Sequence, residues 1–337
     1  MDRIVRAVKQ VTSRRLYNRP VSRPTNPATR SIFARLSSWT RQPPSPLFGG
    51  TAGNFAADPH VWSTGPNSYF MLYTTDYLGT QAIAMAQSSN LINWTPIVSP
   101  QYGSEYIIRG NGPTAGQNNQ ETACYYRTNA GLHHIYYIGY DSLATYQSQI
   151  YRATASSITG PYVREATPVV PFGTSGAYDD AAFTSPSIEA YNGVLYMNYT
   201  AWADSPVGAS PGVINAASFS GNDGTTWTKF GSIDWTDTFG VEASVHRGLD
   251  GNYYRVGTET FNSQDILSLG IASHPLGPYT TRQSGVLTIG GAGVGEVDSI
   301  TGASLFFHPT QPRVYMFYSA VAAGGFPWMT SVAVATY

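Results

Sequence analysis

The same aromatic strand recurs five times along the chain: "YFMLYTT" at 69 to 75, "YYIGYDS" at 136 to 142, "LYMNYTA" at 195 to 201, "YYRVGTE" at 253 to 259 and "VYMFYSA" at 314 to 320. Aligned, these strands put Tyr73, Tyr140, Tyr199, Gly257 and Tyr318 in one column, at steps of 67, 59, 58 and 61 residues. A repeat of this length means that one supersecondary unit has been copied and must bury its faces against its neighbours. A short strand and a Gly or Asn turn precede each copy, as in "EAYNG" and "RGLDG". A strand of small alternating residues follows, as in "AIAMAQSS" and "IYRATASS", and then an edge containing Trp or Gly-Pro-Tyr. Strands this short and this rich in aromatic and β-branched residues describe four-stranded antiparallel units. Five of them, arranged radially, make an all-β, five-bladed β-propeller over residues 51–337. The last repeat ends after its third strand, so that blade's outer strand is either absent or supplied from upstream, for which "PLFGG" is the candidate.

Composition fits such a body, with 24 Tyr, 34 Gly and only 12% charged residues. Charge is unevenly placed: residues 1–50 hold nine Arg and Lys9 against Asp2 alone, which leaves an acidic body. Within this N-terminal arm, "RIVRAVKQVTSRRL" reads as a short basic amphipathic helix. The Pro- and Arg-rich segments that follow read as an extended tether. Docking on another protein or assembly, an organelle transit peptide and a polyanion contact are the open readings of the arm, with nucleic acid not expected for the body. An extracellular or assembly-associated location suits the docking reading. The lone Cys124 excludes an internal disulfide, and no ligand-spaced His or Cys cluster points to a metal. No apolar run reaches the ~20 residues of a membrane helix.

In a propeller the first strand of each blade lines the axis, so equivalent positions converge there. Aligning "ADPHVW", "QETACYY", "TSPSIEA", "VEASVHR" and "TGASLFF" puts Asp58, Glu121, Ser185, Glu242 and Ala303 in one column. Carboxyls converging in an aromatic-lined pocket are what hydrolysis of a glycosidic bond needs, one to protonate the leaving oxygen and one to activate water or attack.

With these segments, the third-blade "SPSIEAYNGVLYMNY" and the two Gly-Pro-Tyr edges, the chain resembles glycoside hydrolase family 43, within the five-bladed group that includes families 32, 62 and 68. The resemblance implies an inverting hydrolase of arabinofuranosyl or xylosyl linkages, with Asp58 as general base and Glu242 as general acid. It requires no cofactor, although some relatives hold calcium in the channel. The family places an Asp before the third-blade Pro; here Ser185 stands there, and a Ser cannot raise a neighbour's pKa by like-charge repulsion. Glu121 is the first candidate to replace it, and Asp179 or Asp180 the next. His60, His246 and Arg247 are candidates to bind sugar hydroxyls, Trp62 and Trp202 to stack on a sugar face. The competing expectation is a propeller without chemistry, a glycan-binding or structural module fixed by its arm to a larger assembly such as a virion or cell-surface complex.

Overall fold

The structure, a computed structural model, describes residues 32–36, 38–42, 47–49, 55–110, 117–142, 147–175, 177–202, 213–232, 242–261, 264–279, 281–290, 296, 298–321 and 328–337. These form five antiparallel sheets, and the inner strands touch one another in a closed ring. The five-bladed propeller expected from the repeat is therefore the observed fold.

Blade one comprises Ala57–Gly65, Ser68–Tyr77, Thr80–Ser88 and the outer Thr95–Pro96, with Tyr106–Ile108 also paired to the third strand. Blade two comprises Asn119–Arg127, His133–Tyr140, Gln149–Ala155 and Val163–Arg164. Blade three runs Ala182–Tyr191, Val194–Trp202, Val213–Ser220 and Thr228–Ser232; blade four runs Ser244–Arg247, Tyr253–Phe261, Gln264–Ala272 and Thr281–Thr288. Blade five takes Ser299–Phe307, Arg313–Val321 and Trp328–Thr336 from the C-terminus.

The second strands read as nearly unbroken apolar runs because both of their faces meet a neighbouring blade. In blade one, Leu72 packs with Ile135 and Tyr137 of blade two, while Met71 packs with Phe317 of blade five. Turns between first and second strands need left-handed backbone, which Asn192 (φ 51°) and Gly193 (φ 79°) supply in blade three. The two Gly-Pro-Tyr edges are built alike: Tyr162 Oη donates to Ile158 O at 2.9 Å and Tyr279 Oη to Pro275 O at 3.0 Å.

Upstream residues close the last blade. Thr40–Arg41 pairs with Val334 and Ala333, and Phe48–Gly49, inside "PLFGG", pairs with Thr330 and Met329. Arg41 reaches the fully buried Glu296, which also accepts from Tyr318 and from the Gly290 amide. Ahead of this strand, a 3-10 turn at Ile32–Arg35 buries Ile32 and Phe33, and Phe33 N donates to Tyr254 Oη at 3.2 Å. Within Ser31–Tyr337, residues 40–41 and 48–49, which the sequence reading put in the arm, are strands of the last blade. The physical reason is that an open blade edge leaves amides and carbonyls unpaired, and the Pro-rich stretch supplies the missing strand. The expected amphipathic helix and the first part of the tether lie outside the described residues. Among the described residues no helix is long and apolar enough to cross a membrane.

Candidate active site

Each inner strand bends at its beginning. The pairing slips between Ala57 and His60, between Glu121 and Cys124, between Thr184 and Ser187, and between Thr301 and Ser304. The first residue of every slip has left-handed backbone: Asp58 (φ 53°), Thr122 (φ 44°), Ser185 (φ 51°) and Gly302 (φ 55°). Glu242 (φ 62°) stands at the same place just ahead of blade four. A Pro or Ala follows in each case, Pro59, Ala123, Pro186, Ala243 and Ala303. Bulges of this kind re-aim a side chain, and a non-Gly residue with positive φ, above all a β-branched one, is held there by its surroundings.

The column that converges on the axis is therefore Asp58, Thr122, Ser185, Glu242 and Gly302. Two positions of the expected column are corrected, from Glu121 to Thr122 and from Ala303 to Gly302. The signal was the small residue or Pro that follows each bulge, which apolar alignment alone overlooks. Register corrects the aromatic column as well. The partner of the residue before the bulge is Thr74 in blade one but Ile138 in blade two, so Tyr137, and not Tyr140, is the counterpart of Tyr73.

Asp58, Pro59, His60, Thr122, Ser185 and Glu242, with Ser244 and Gly302, line a pocket at this end of the axis. Among the described residues the pocket is open on one side, and its void is about 30 Å³, room for a water or two. A hydroxyl-sized group fits there, while a sugar ring would rest above it. Residues 111–116, 203–212, 233–241 and 291–295 lie outside the described residues.

Asp58 is half-buried. Its Oδ2 accepts from Thr74 Oγ1 at 2.8 Å, and its amide donates to Ser319 Oγ at 2.7 Å. Burial, then Glu242, then Glu121 push its carboxyl well above the usual carboxylate range, against the opposing bonds from Thr74 and Ser319. Glu242 accepts from Thr301 Oγ1 and from the Gly302 amide. Burial raises it too, the Thr301 hydrogen bond opposes the shift, the Asp265 charge adds to it, and the Gly302 amide opposes it. Gly302 sits between the two acids. A Cβ there would lie 2.7 Å from Asp58 Oδ1, and its amide reaches Glu242, so the nearest carboxyl oxygens are within roughly 9 Å. That bound admits both the inverting and the retaining separation.

His60 and His246 lie along the channel with ring centroids 6.3 Å apart. Burial lowers His60 to about 4 and His246 to about 3, the latter also through His60. Ser244 Oγ gives its hydrogen to Ala303 O at 2.6 Å, so His246 Nε2–H donates to Ser244 Oγ at 2.7 Å. Both rings are neutral, hydrogen-bonding groups.

The remaining candidates lie elsewhere. Glu121, 8% exposed, meets Tyr140 Oη at 3.3 Å and does not line the pocket. Asp180 is outside the lining, and Asp179 is paired with Lys229 at 2.6 Å. Trp62 stacks on Tyr125 at 4.2 Å and on Phe70, which makes it packing between blades one and two. Arg247 is exposed at the far end of its strand, its amide on Glu189. Trp202 pairs with Ala182, and its side chain lies outside the described residues. Among those residues no group of three acids, His or Cys could hold a metal ion.

No protein-family model and no curated protein sequence matches the chain. Solved structures do. One, a glycoside hydrolase, superposes with TM-score 0.67 at 12% identity over 87% of this chain and 92% of that one. The α-L-arabinofuranosidase of Podospora anserina in complex with cellotriose gives 0.60 at 11% identity, covering 89% and 97%. A thermostable family-43 glycoside hydrolase gives 0.59 at 16% identity, covering 88% and 93%. At such identities the likeness is one of fold, and it agrees with the propeller group that the sequence resembles.

Proposed function

We propose that this chain hydrolyses glycosidic bonds, with Asp58 and Glu242 as the reacting carboxyl pair. The observation that carries the reading is the meeting of these two acids, from blades one and four, across the backbone of Gly302 at the axis. Two carboxyls of unlike environment can divide the roles of proton donor and proton acceptor, which cleavage of an acetal requires. Thr122, Ser185, His60 and Ser244 add hydroxyl and imidazole groups suited to sugar hydroxyls. The arabinofuranosidase and family-43 structures that share the fold make arabinofuranosyl and xylosyl side chains the first substrates to try, by an inverting route.

The test is release of sugar from aryl arabinofuranosides and xylosides and from arabinoxylan. Turnover should fall at least a hundredfold in Asp58→Asn and in Glu242→Gln, and NMR of the first-formed anomer reads inversion or retention. Absence of turnover across a broad glycan panel refutes the proposal. Ser185, standing where the resemblance expects an acid, favours the second reading, a propeller that binds glycan without cleaving it. Under that reading, calorimetry detects a glycan whose affinity the same two substitutions leave within a few-fold.

A further inference from the structure

The row of residues beside Asp58 continues outward across blade one. Ala57, just before the bulge, pairs with Thr74, Thr74 pairs with Ile83, and Ile83 pairs with Ile108. The ends of that row are three strand spacings apart, roughly 14 Å. The first strand begins at the pocket, so by antiparallel alternation both Ser68–Tyr77 and Tyr106–Ile108 end on the pocket face. Tyr77 and Arg109, one residue past Ile108, come out there together. The guanidinium carbon of Arg109 lies 4.6 Å from the centre of the Tyr77 ring and 4.4 Å from that of Tyr102. Its Nη1 donates to Tyr77 Oη at 2.6 Å. Tyr106 braces Tyr77 edge-on at 4.8 Å and donates its own hydroxyl to Asp76 O at 3.2 Å. Two ring contacts and a hydrogen bond therefore fix the guanidinium before any ligand arrives.

No acid among the described residues pairs with this cation; the ion pairs there join Arg41 to Glu296, Arg152 to Glu165 and Lys229 to Asp179. The acids that act on the cluster are Glu105 and Asp76. Glu105 takes the Tyr73 hydroxyl, and strand alternation turns Asp76 to the side opposite Tyr77. Nε of Arg109 is buried with no hydrogen-bond partner among the described residues. The tip of the guanidinium, Nη2 and the second hydrogen of Nη1, bonds to nothing else among them. Two N–H groups side by side on a fixed plane match the two oxygens of a carboxylate. Leu78, 87% exposed at the adjoining turn, and the tyrosine edges add apolar surface suited to a sugar ring.

We propose that Arg109, held by Tyr77 and Tyr102, is a subsite for the carboxylate of a uronic acid, carried by a glycan whose other end reaches the pocket. The proposal rests on the reading of the pocket face as a glycan site, and not on cleavage. At roughly 14 Å from the Asp58 row, the subsite lies beyond the sugar in the pocket, so it selects oligosaccharides over simple glycosides. The acidic body repels such a chain in general, so a single fixed cation decides where the carboxylate settles.

Calorimetry on the full-length chain carrying Glu242→Gln, which stops turnover, compares oligogalacturonates and glucuronic-acid-bearing xylo-oligosaccharides with their carboxyl-reduced forms. At least one acidic set should bind about tenfold or more tightly than its reduced form. Arg109→Gln should remove that difference and leave the affinity of the reduced form within about twofold. Arg109→Lys, which keeps the charge and loses the paired N–H groups, should recover only part of it. Nitrogen-15 NMR of the arginine side chains follows Arg109 in the unsubstituted protein during the same titrations, in case a variant does not fold. No binding of either acidic set, equal affinity for acidic and reduced forms, a preference that survives Arg109→Gln, or an Arg109 signal that stays still overturns the inference. Turnover of aryl arabinofuranosides and xylosides should be unchanged in Arg109→Gln alone, so subsite and reaction fail separately. No turnover beside an Arg109-dependent preference refutes the hydrolase and leaves the subsite standing; turnover without the preference does the reverse.

Discussion

Replacing Gly302 by Ala tests whether the Asp58 carboxyl lies against the blade-five backbone. Two costs combine at this position. Gly302 has φ 55°, where an L-residue pays about 1–2 kcal/mol. The added Cβ would also meet Asp58 Oδ1 at 2.7 Å and Ser319 Oγ at 3.0 Å, an overpacking that typically costs about 1–3 kcal/mol more. Gly251, with φ 82° and nothing within 4 Å of its Cβ position, isolates the first cost. Urea unfolding should therefore show Gly251→Ala losing about 1–2 kcal/mol and Gly302→Ala losing about 2–5 kcal/mol. In an Asp58→Gly background, which removes the carboxyl and suits φ 53°, Gly302→Ala should lose less, ending above the Gly251→Ala value by what the remaining Ser319 contact costs. A cycle of this kind reports the contact itself, because both strain terms cancel. Equal losses from Gly302→Ala in the two backgrounds would refute the placement of Asp58 and, with it, the separation bound between the two acids.

Other consequences can be checked alongside. His60 and His246 have folded pKa values below the unfolded value near 6.5, so the unfolded state binds more protons between those limits. Stability should thus fall as pH drops below about 6.5, by up to about 1.4 kcal/mol per pH unit for each ring, and the NMR signals of both rings should not titrate between pH 5 and 8. The raised Asp58 carboxyl works in the opposite sense, losing stability as pH rises; Asp58→Asn should be more stable than the wild type at pH 8, with the gap closing toward pH 5, as urea midpoints would read. Arg41→Ala removes the partner of a fully buried carboxylate at the closing edge and should cost about 3–5 kcal/mol in urea unfolding, without moving the carboxyl titrations of the pocket. Thr200 Oγ1 is buried without a hydrogen-bond partner among the described residues, at the place where Thr74 serves Asp58. Ser185→Asp should give it an acceptor, change stability by less than about 1 kcal/mol, and raise the Glu242 carboxyl through like charge, as carbon-13 NMR of glutamate-labelled protein would read.

What sequence alone determined was the architecture. A sixty-residue period of aromatic strands, each too apolar to stand unpaired, forces the units to stack on one another and close, and the five copies count the blades. Asp58 and Glu242 were legible for the same reason, because a period carries equivalent positions to one axis. What the period could not resolve was which of two adjacent residues faces that axis. A bulge shifts side-chain parity by one, and bulges are set by tertiary contacts: the Asp58 amide on Ser319, the Thr122 amide on Thr74, the bare Cα of Gly302 against a carboxyl. Only the fold could place Thr122 inward and Glu121 off the pocket, move Trp62 into the packing between blades, and recruit residues 40–41 and 48–49 to the last blade. The roles of the two acids belong to the same class of fact. Which carboxyl holds a proton depends on the donors and charges around it, and those come from blades that are distant in sequence and adjacent only around the ring.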